Sequence, residues 1–575
     1  MRHFSKLLII IILSFTIFSN GCKPKFYNQI TISEIKQHID YLASDSLKGR
    51  LPGTIEDSLL VNYIAQQMDL SGLLLKAEDG LQTVNIERGF HVSENNFIET
   101  EEGNTLQYNQ GQLSVFGFSA SGSFHGNVII SSKADFDFSA TEDENIFILP
   151  YPSELPEHEY DAYRELRSVG LSAADNGASG VILVSQNKQK LPESDQRLPL
   201  QIPVFTTTAA NLSEILPPSQ EKSLTAVLNS INISPSITDY QLKMNSKVVP
   251  DQIKTFNTVA ELKGGENAVA DEFIIIGAHH DHLGMGGRGT SSRVQDTTAI
   301  HYGADDNASG VAGIIELSQH LISRSPSRSF IFTTFAAEEM GLQGSKEFVN
   351  NPPVEPESVQ IMINLDMIGR LNDNRQLQIG GVGTSPSLRQ ILDSINMEYD
   401  FSIAYSEAGY GPSDHSSFYA KDIPVLFITT GAHGDYHTPE DTKVKINYEG
   451  MQEVLSYISD VAYTISEIPD KLAFTLAGPK ESSGSRGRRE GMVTFGLMPD
   501  VMYDGNEGMP VSFVTEGKPA AIGGMKGGDI ITAVDGKQIG NVHDYMERLS
   551  DLKEGQSVIV SVNRDGEALE LLLKL

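Results

Sequence analysis

Apolar residues recur at helical spacing in the first part of the chain after residue 30. Ile32, Ile35, Ile39 and Leu42 fall on one face of a helix, and a second run with the same spacing covers residues 60–68. A loop rich in glycine and proline, residues 49–54, separates the two runs. The pattern therefore predicts that residues 31–95 are mainly helical.

Short apolar runs alternate with polar loops over residues 96–250, which indicates a β-rich segment. The predicted strands are 127–130, 146–149, 180–184 and 202–205. This segment resembles the protease-associated domain, which is inserted in several secreted peptidases. The segment shows no catalytic constellation. By analogy with such inserts, it is expected to cover or narrow the cleft.

Strands and helices alternate over residues 251–468, with unbroken apolar runs as the strands. Such runs indicate strands buried on both faces, as in a mostly parallel or mixed sheet flanked by helices. One helix is predicted after Asn307 and a second over 448–466, where apolar residues form a single stripe. The fold class is therefore α/β, and the predicted strands are 273–278, 330–335, 359–365, 377–379 and 425–429.

Residues 469–491 are rich in Gly, Ser and Arg and are predicted to be a linker. Residues 492–575 form a further small domain. Its segments 518–521, 528–531 and 534–536 read Lys-Pro-Ala-Ala, Gly-Asp-Ile-Ile and Val-Asp-Gly. They resemble a bacterial PDZ domain, which implies a peptide or protein ligand bound by strand addition.

The N-terminus has the pattern of an export signal. A basic start is followed by an apolar run over residues 7–18 and by the only cysteine of the chain, Cys22. This pattern resembles a bacterial lipoprotein signal, although Ser19 and Asn20 depart from the usual residues. The resemblance implies a signal peptide over 1–21, lipidation of Cys22 and a tether over 22–30. The protein would then be an exported lipoprotein, anchored to a membrane of the cell envelope.

Charge and cysteine content exclude several classes of partner and site. The chain has 575 residues, with 43 Lys and Arg against 75 Asp and Glu, and its formal net charge is −32. A nucleic-acid partner is not expected, because such a partner requires a cationic face. One cysteine cannot form an intramolecular disulfide or a cysteine-rich zinc module. Any zinc site must use His, Asp and Glu.

Polar clusters follow the predicted strands, where sites form in open α/β sheets. Each cluster alone has an ordinary explanation, such as a polar turn, a helix cap or an acidic helix start. Together they provide histidines and carboxylates enough for two divalent ions about 3.5–4 Å apart. The clusters are His279 to His282, Asp305 with Asp306, Glu338 with Glu339, Asp366, and Tyr436 to Asp441.

The motifs His-x-Asp, Gly-x-x-Asp-Asn-x-Ser-Gly, Ala-Glu-Glu-x-Gly, Asp-Met-x-Gly and Tyr-His-Thr-x-x-Asp occur in this order. Residues 253–467, with the helical segment 31–95, therefore resemble the co-catalytic zinc aminopeptidase family. The resemblance implies two zinc ions, although such ligands also accept cobalt or manganese. The ligands it implies are His279 and Asp366 for one ion, Glu339 and His437 for the other, and Asp306 as the bridge.

The same resemblance implies roles for three further residues. Glu338 would be the general base, Asp281 would orient His279, and Tyr436 would stabilise the oxyanion. Ser413-Asp414-His415 resembles a recurrent loop of the family. The expected activity is removal of N-terminal residues from peptides. A glutaminyl-cyclase-like acyltransferase, a carboxypeptidase or dipeptidase, and a binding protein without catalysis stay open as alternatives.

Overall fold

The computed structural model describes residues 29–132, 144–189, 191, 199–228, 236–265, 269, 271–478, 480, 493–499, 507–514, 517–540, 542–553, 555–564 and 566–575. The predicted signal peptide and Cys22 lie outside these residues. No helix among the described residues is long and apolar enough to cross a membrane. The chain divides into two compact units, of which one comprises residues 85–253 and the other the segments on either side of it.

The N-terminal segment begins with two capped helices, α1 (Ile32–Leu42) and α2 (Ile55–Leu70). Thr31 and Thr54 each accept a hydrogen bond from a backbone N–H three residues later, which stabilises the first turn. The helical prediction for 31–95 is wrong after Leu70, since β1 (Leu74–Leu75) and β2 (Leu81–Val92) follow. Gly72, with φ 87°, ends the helical path, and both strands pair with a later strand of the sheet.

The unit formed by residues 85–253 contains a mixed eight-stranded sheet in the order β4-β3-β10-β6-β7-β8-β9-β5. Each of the four strands predicted here corresponds to an observed strand, from β6 to β9, and these pair in parallel. The unit begins 11 residues before the predicted limit of 96 and ends 3 residues after the predicted limit of 250. Its elements are β3 (Phe97–Thr100), β4 (Thr105–Gln107), β5 (Leu113–Val115), β6 (Gly122–Ile130), β7 (Asn145–Pro150), α3 (Glu159–Asp175), β8 (Ala178–Ser185), β9 (Val204–Thr208), α4 (Ala209–Ile215), α5 (Glu221–Leu228) and β10 (Ser236–Ser246).

The second sheet has nine strands in the order β1-β11-β13-β12-β14-β17-β15-β16, and β2 pairs with β11. Strands β13, β12, β14 and β17 are parallel neighbours, as predicted from their unbroken apolar runs. Because parallel strands end at one edge, the residues after them are brought together. The elements are β11 (Val248–Leu262), β12 (Phe273–His279), α6 (Gly310–Arg324), β13 (Ser329–Phe335), α7 (Gln343–Asn350), β14 (Val359–Leu365), β15 (Gln376–Gly380), α8 (Leu388–Tyr399), β16 (Ser402–Tyr405), α9 (His415–Tyr419), β17 (Val425–Thr429) and α10 (Tyr448–Glu467).

Helices α1, α2, α6 and α10 bury apolar side chains in one core against this sheet. The stripe predicted for 448–466 is the buried face of α10. Gly313 on α6 permits close packing of α6 against α10, because a Cβ at this position would lie 2.9 Å from a side-chain atom of Leu455 on α10. The core fixes the strand ends relative to the start of α6.

The C-terminal domain has a separate core, centred on Phe495, Met509 and Ile531. Its sheet has the order β18-β19-β20-β22-β23, and β21 pairs with β20. Buried Asp529 forms an ion pair with Arg564, 2.6 Å apart. The elements are β18 (Leu497–Pro499), β19 (Met509–Val514), α11 (Pro519–Ile522), β20 (Ile530–Val534), β21 (Lys537–Gln538), α12 (Val542–Ser550), β22 (Ser557–Arg564) and β23 (Glu567–Lys574).

Candidate metal centre and active-site cleft

Two groups of histidine and carboxylate side chains meet at the carboxyl edge of the nine-stranded sheet. In the first group, His279 Nε2 lies 3.3 Å from an oxygen of Asp306 and 3.6 Å from an oxygen of Asp366. His279 ends β12, and Asp366 follows β14 directly. The ligand atoms of these three residues lie within 4.8 Å of one another, which suits one metal ion.

The second group shares Asp306 with the first. His437 Nε2 lies 3.2 Å from the other oxygen of Asp306 and 3.1 Å from an oxygen of Glu339. His282 Nδ1 lies 2.9 Å from the second oxygen of Glu339. His282, Asp306 and Glu339 also have ligand atoms within 4.8 Å of one another, although the sequence assigned no role to His282. Asp306 thus faces both groups, one oxygen to each.

The sequence did not show which histidines face the site. In the structure, contacts with backbone carbonyl groups fix the orientation of the His279 and His437 rings. His279 Nδ1 lies 3.3 Å from the carbonyl oxygen of Asp281, and His437 Nδ1 lies 3.1 Å from that of Ser291. In each ring Nε2 is left to face the carboxylates, an arrangement common in metal ligands. His280 points elsewhere, because its Nδ1 contacts the hydroxyl of Thr334 at 2.9 Å.

The carboxylate of Asp281 has a different position from the one expected. It lies 3.8 Å from His279 Nδ1, too far for a hydrogen bond. Instead it accepts hydrogen bonds from the backbone N–H groups of Glu338 and Glu339, at 2.9 and 3.3 Å. Asp281 therefore positions the turn that carries both glutamates, and its hydrogen bond with His279 is made by its backbone carbonyl.

The site has an excess of negative charge that favours a cation. Burial acts to lower the pKa of His437, but the charges of Glu339 and Asp306 outweigh it and hold the pKa well above its ordinary value. Burial also acts to lower the pKa of His279. The charges of Asp366 and Glu338 outweigh this effect and raise the pKa well above its ordinary value. Three carboxylates and neutral imidazole nitrogens are a donor set that suits zinc without any cysteine. The residues therefore fit a metal.

Glu338 and Tyr436 line the same cleft as the two groups, with about 720 Å³ of space open to solvent. Burial, and then the neighbouring charge of Glu339, raise the pKa of Glu338 well above its ordinary value. The Tyr436 ring lies parallel to that of His437, with centroids 3.8 Å apart. A proton acceptor and a hydroxyl donor are thus next to the candidate metal positions.

The buried side chain of Arg50 supports the backbone around the site. The sequence predicted only that this residue lies in a loop. Its side chain is 1% exposed, and it donates hydrogen bonds to carbonyl groups of several segments around the site. Burial lowers the pKa of Arg50 to about 10, so the guanidinium is charged at neutral pH. The acceptors are the carbonyl oxygens of Leu42, His280, Tyr302, Gly303 and Asp306.

Asp441, the last residue of the fifth motif, supports Asp306 from the other side. One oxygen of its buried carboxylate accepts hydrogen bonds from the N–H groups of Asp305 and Asp306, at 2.9 and 3.0 Å. Its other oxygen accepts from Arg370, 3.2 Å away. The two adjacent aspartates therefore have different partners. Asp306 faces the metal groups, whereas the carboxylate of Asp305 lies 3.2 Å from His433 Nε2.

The segment Ser413-Asp414-His415 lies buried beneath the cleft. Ser413 accepts a hydrogen bond from Asn364 at 2.8 Å, and the His415 ring stacks on Phe427 with centroids 4.7 Å apart. Burial raises the pKa of Asp414 to about 7. The three residues shape the floor of the site rather than face solvent.

An α/β sheet with histidines and carboxylates at the carboxyl ends of its strands is typical of metal-dependent hydrolases. The model of peptidase family M28 matches residues 257–462, and that of the PDZ domain matches residues 492–575. The chain is 30% identical over 235 residues to protein YfbL of Escherichia coli, an uncharacterized protein, covering 34% of this chain and 70% of YfbL. The chain belongs to peptidase family M28.

Further relatives are named as aminopeptidases. A probable leucine aminopeptidase 2 of Trichophyton verrucosum is 27% identical over 272 residues, with 43% of this chain and 50% of that protein covered. This chain thus spans about half the length of that relative. The zinc aminopeptidase BSAP of Bacillus subtilis is a similar solved structure, with a TM-score of 0.44 and 18% identity, covering 76% of this chain and 96% of BSAP.

Proposed function

We propose that the protein is a zinc-dependent aminopeptidase that removes N-terminal residues from peptides. The observation that carries the proposal is that both metal groups share Asp306 and adjoin Glu338 in one cleft. The name of the sequence relative from Trichophyton verrucosum, a probable leucine aminopeptidase 2, supports the same activity. A cyclase with a single zinc would not need the second group, whereas here Glu339 and His437 lie 3.1 Å apart.

Two zinc ions are part of the proposal. His279 and Asp366 would hold one ion, Glu339 and His437 the other, and Asp306 would bridge them. His282 would orient Glu339 through its 2.9 Å contact. Zinc at these positions supplies Lewis-acid polarisation of a carbonyl group and activation of water. The same ligands accept cobalt or manganese.

The side chains around the ions perform the proton transfers. Glu338 accepts a proton from the attacking water and returns it to the leaving amine. The hydroxyl of Tyr436 donates a hydrogen bond to the oxygen on which negative charge develops. The acidic cluster attracts the free α-ammonium group of the substrate, which favours cleavage at the N-terminus.

The test is a paired assay on the soluble chain that begins after Cys22. Aminoacyl arylamides and their N-acetylated counterparts are compared, and metal content is measured by elemental analysis on the same sample. We expect two zinc ions per chain and cleavage of the free-amine substrates only. Cleavage of blocked substrates would instead show that the free α-amine is not required, which contradicts an aminopeptidase, and cyclisation of N-terminal glutamine would indicate a cyclase.

Export as a lipoprotein also belongs to the proposal, with Cys22 as the lipidated residue. Its support is the basic start, the apolar run and the position of the cysteine. Such an anchor would place the peptidase at a membrane of the cell envelope.

A further inference from the structure

The cleft that holds the metal groups has a wall supplied by the C-terminal domain. Met498, Pro499 and Ser512 line it together with Glu338, Tyr436 and His437. Met498 and Pro499 lie on β18, and Ser512 lies on the neighbouring strand β19. Residues more than 60 positions beyond the last metal ligand therefore contact the space in which catalysis would take place.

Strand β18 is suited to contact an extended chain. Among the described strands it pairs with β19 only and lies at the end of its sheet. Its residues 497–499 are partly exposed rather than buried. A strand at a sheet edge carries backbone groups that can pair with an added peptide, and the adaptable side chain of Met498 tolerates different neighbours.

The cleft extends from the metal groups to the C-terminal domain and is open to solvent. Its lining includes His279, Glu338 and His437 as well as Met498 and Ser512. The metal groups and Glu338 lie on the sheet side, where the first residue would be cleaved. The rest of an aminopeptidase substrate must leave this point through the remaining space.

We propose that β18 and β19 form the part of the substrate site that receives the residues beyond the cleaved bond. The ligand is the peptide substrate itself, in extended conformation, with its N-terminus at the metal groups. This inference rests on the proposed aminopeptidase activity and deepens it. The C-terminal domain thereby makes the enzyme select peptides of several residues over single amino-acid derivatives.

The test compares an amino-acid amide with a pentapeptide that has the same N-terminal residue, using the full chain after Cys22. Met498→Asp should raise KM for the pentapeptide about tenfold, because an apolar contact is replaced by a charge in the acidic cleft. The loss in kcat/KM should be clearly smaller for the amide, because the amide ends before β18.

Leu572→Asp is the matched control, since Leu572 is exposed on β23 at the other end of the sheet. Ser512→Asp is a second variant with the same expected effect as Met498→Asp, because it also adds negative charge to the acidic cleft. It guards against misfolding of one variant, which thermal melting of the C-terminal domain detects. Unchanged pentapeptide kinetics in both folded variants would overturn the inference. Equal loss for both substrates would also overturn it. If wild type hydrolyses neither substrate, the proposed function itself fails.

Discussion

Asp306 is the residue on which both metal groups depend, because each of its oxygens faces a different histidine. Burial acts to raise its pKa, but the charges of His282 and His279 outweigh it and hold the pKa well below its ordinary value. The preceding Gly303 has φ 51°, and a Cβ there would lie 2.1 Å from the carbonyl oxygen of Asp306. Only glycine fits this turn, and the turn orients the side chain of Asp306 toward the metal groups.

Glu338→Gln tests the general base at the scale of one residue. The amide cannot accept the proton from water, so we expect kcat to fall at least ~100-fold, in line with the loss of a general base. Metal content by elemental analysis should stay at the wild-type value, because the assigned ligands are intact. Glu355→Gln, at an exposed position, is the control and should leave kcat unchanged. Near-wild-type turnover of Glu338→Gln would refute the assignment.

The sequence predicted the types and the order of these residues better than their contacts. Adjacent His279 and His280 point in different directions, and a local pattern cannot say which one faces the site. The carboxylate of Asp281 stays 3.8 Å from His279 Nδ1 because it is held by two N–H groups from a segment 57 and 58 positions later. Hydrogen bonds across such separations follow from strand order, which the local pattern does not contain.

At the scale of the elements, Arg50 connects segments that no strand pairing joins. The loop between α1 and α2 places its guanidinium beneath the carbonyl groups that follow β12 and precede α6. The sequence indicated a loop here from its glycines and proline, but not its partners. Charge on a fully buried side chain is costly unless such acceptors are present, so the contacts hold the segments in register.

Arg50→Met should disrupt this connection. Several buried carbonyl groups would lose their donor, at a cost of ~1–3 kcal/mol for each group left unsatisfied. We expect a clear fall in the melting temperature and a weaker retention of metal during dialysis, measured by calorimetry and elemental analysis. Arg389→Met is the control, because Arg389 is an exposed residue of α8 whose partner is the exposed Asp393 one turn away. Equal effects of the two substitutions would contradict the role of Arg50.

The elements themselves were predicted where one pattern was long and unbroken. The strands of the parallel centre and the helix α10 were found from their apolar runs and stripe. The extension of helix to residue 95 was wrong because β2 takes its conformation from pairing with β11, which lies far away in the sequence. Tertiary pairing of this kind overrides a weak local preference.

At the scale of the whole molecule, separate cores imply separate unfolding events. The unit of residues 85–253 has its own apolar clusters, and the C-terminal domain has another. The candidate metal ligands all belong to the sheet built from β11 to β17 and the loops after its strands. A metal should therefore stabilise one core and not the others.

Chelation tests this expectation. In differential scanning calorimetry, excess EDTA should lower the transition of the metal-binding domain by at least about 5 °C, given a linkage of ~2.7 kcal/mol or more for a tightly bound ion. The transition of the 85–253 unit should not move. Restored zinc should reverse the shift. A common shift of all transitions, or no shift, would contradict the expectation that the site holds a stabilising metal.

The sequence by itself determined the α/β class, the family motifs and the residue types available for a metal, because apolar periodicity and side-chain chemistry are local properties. Tertiary structure alone decided which histidine nitrogens face the carboxylates, that Asp281 supports the glutamate turn, and that Arg50 lies beneath the site. It also decided that β18 lines the cleft. These features depend on segments distant in sequence meeting in space, and the physical reason is that burial and long-range hydrogen bonds select one arrangement among several that each local pattern permits.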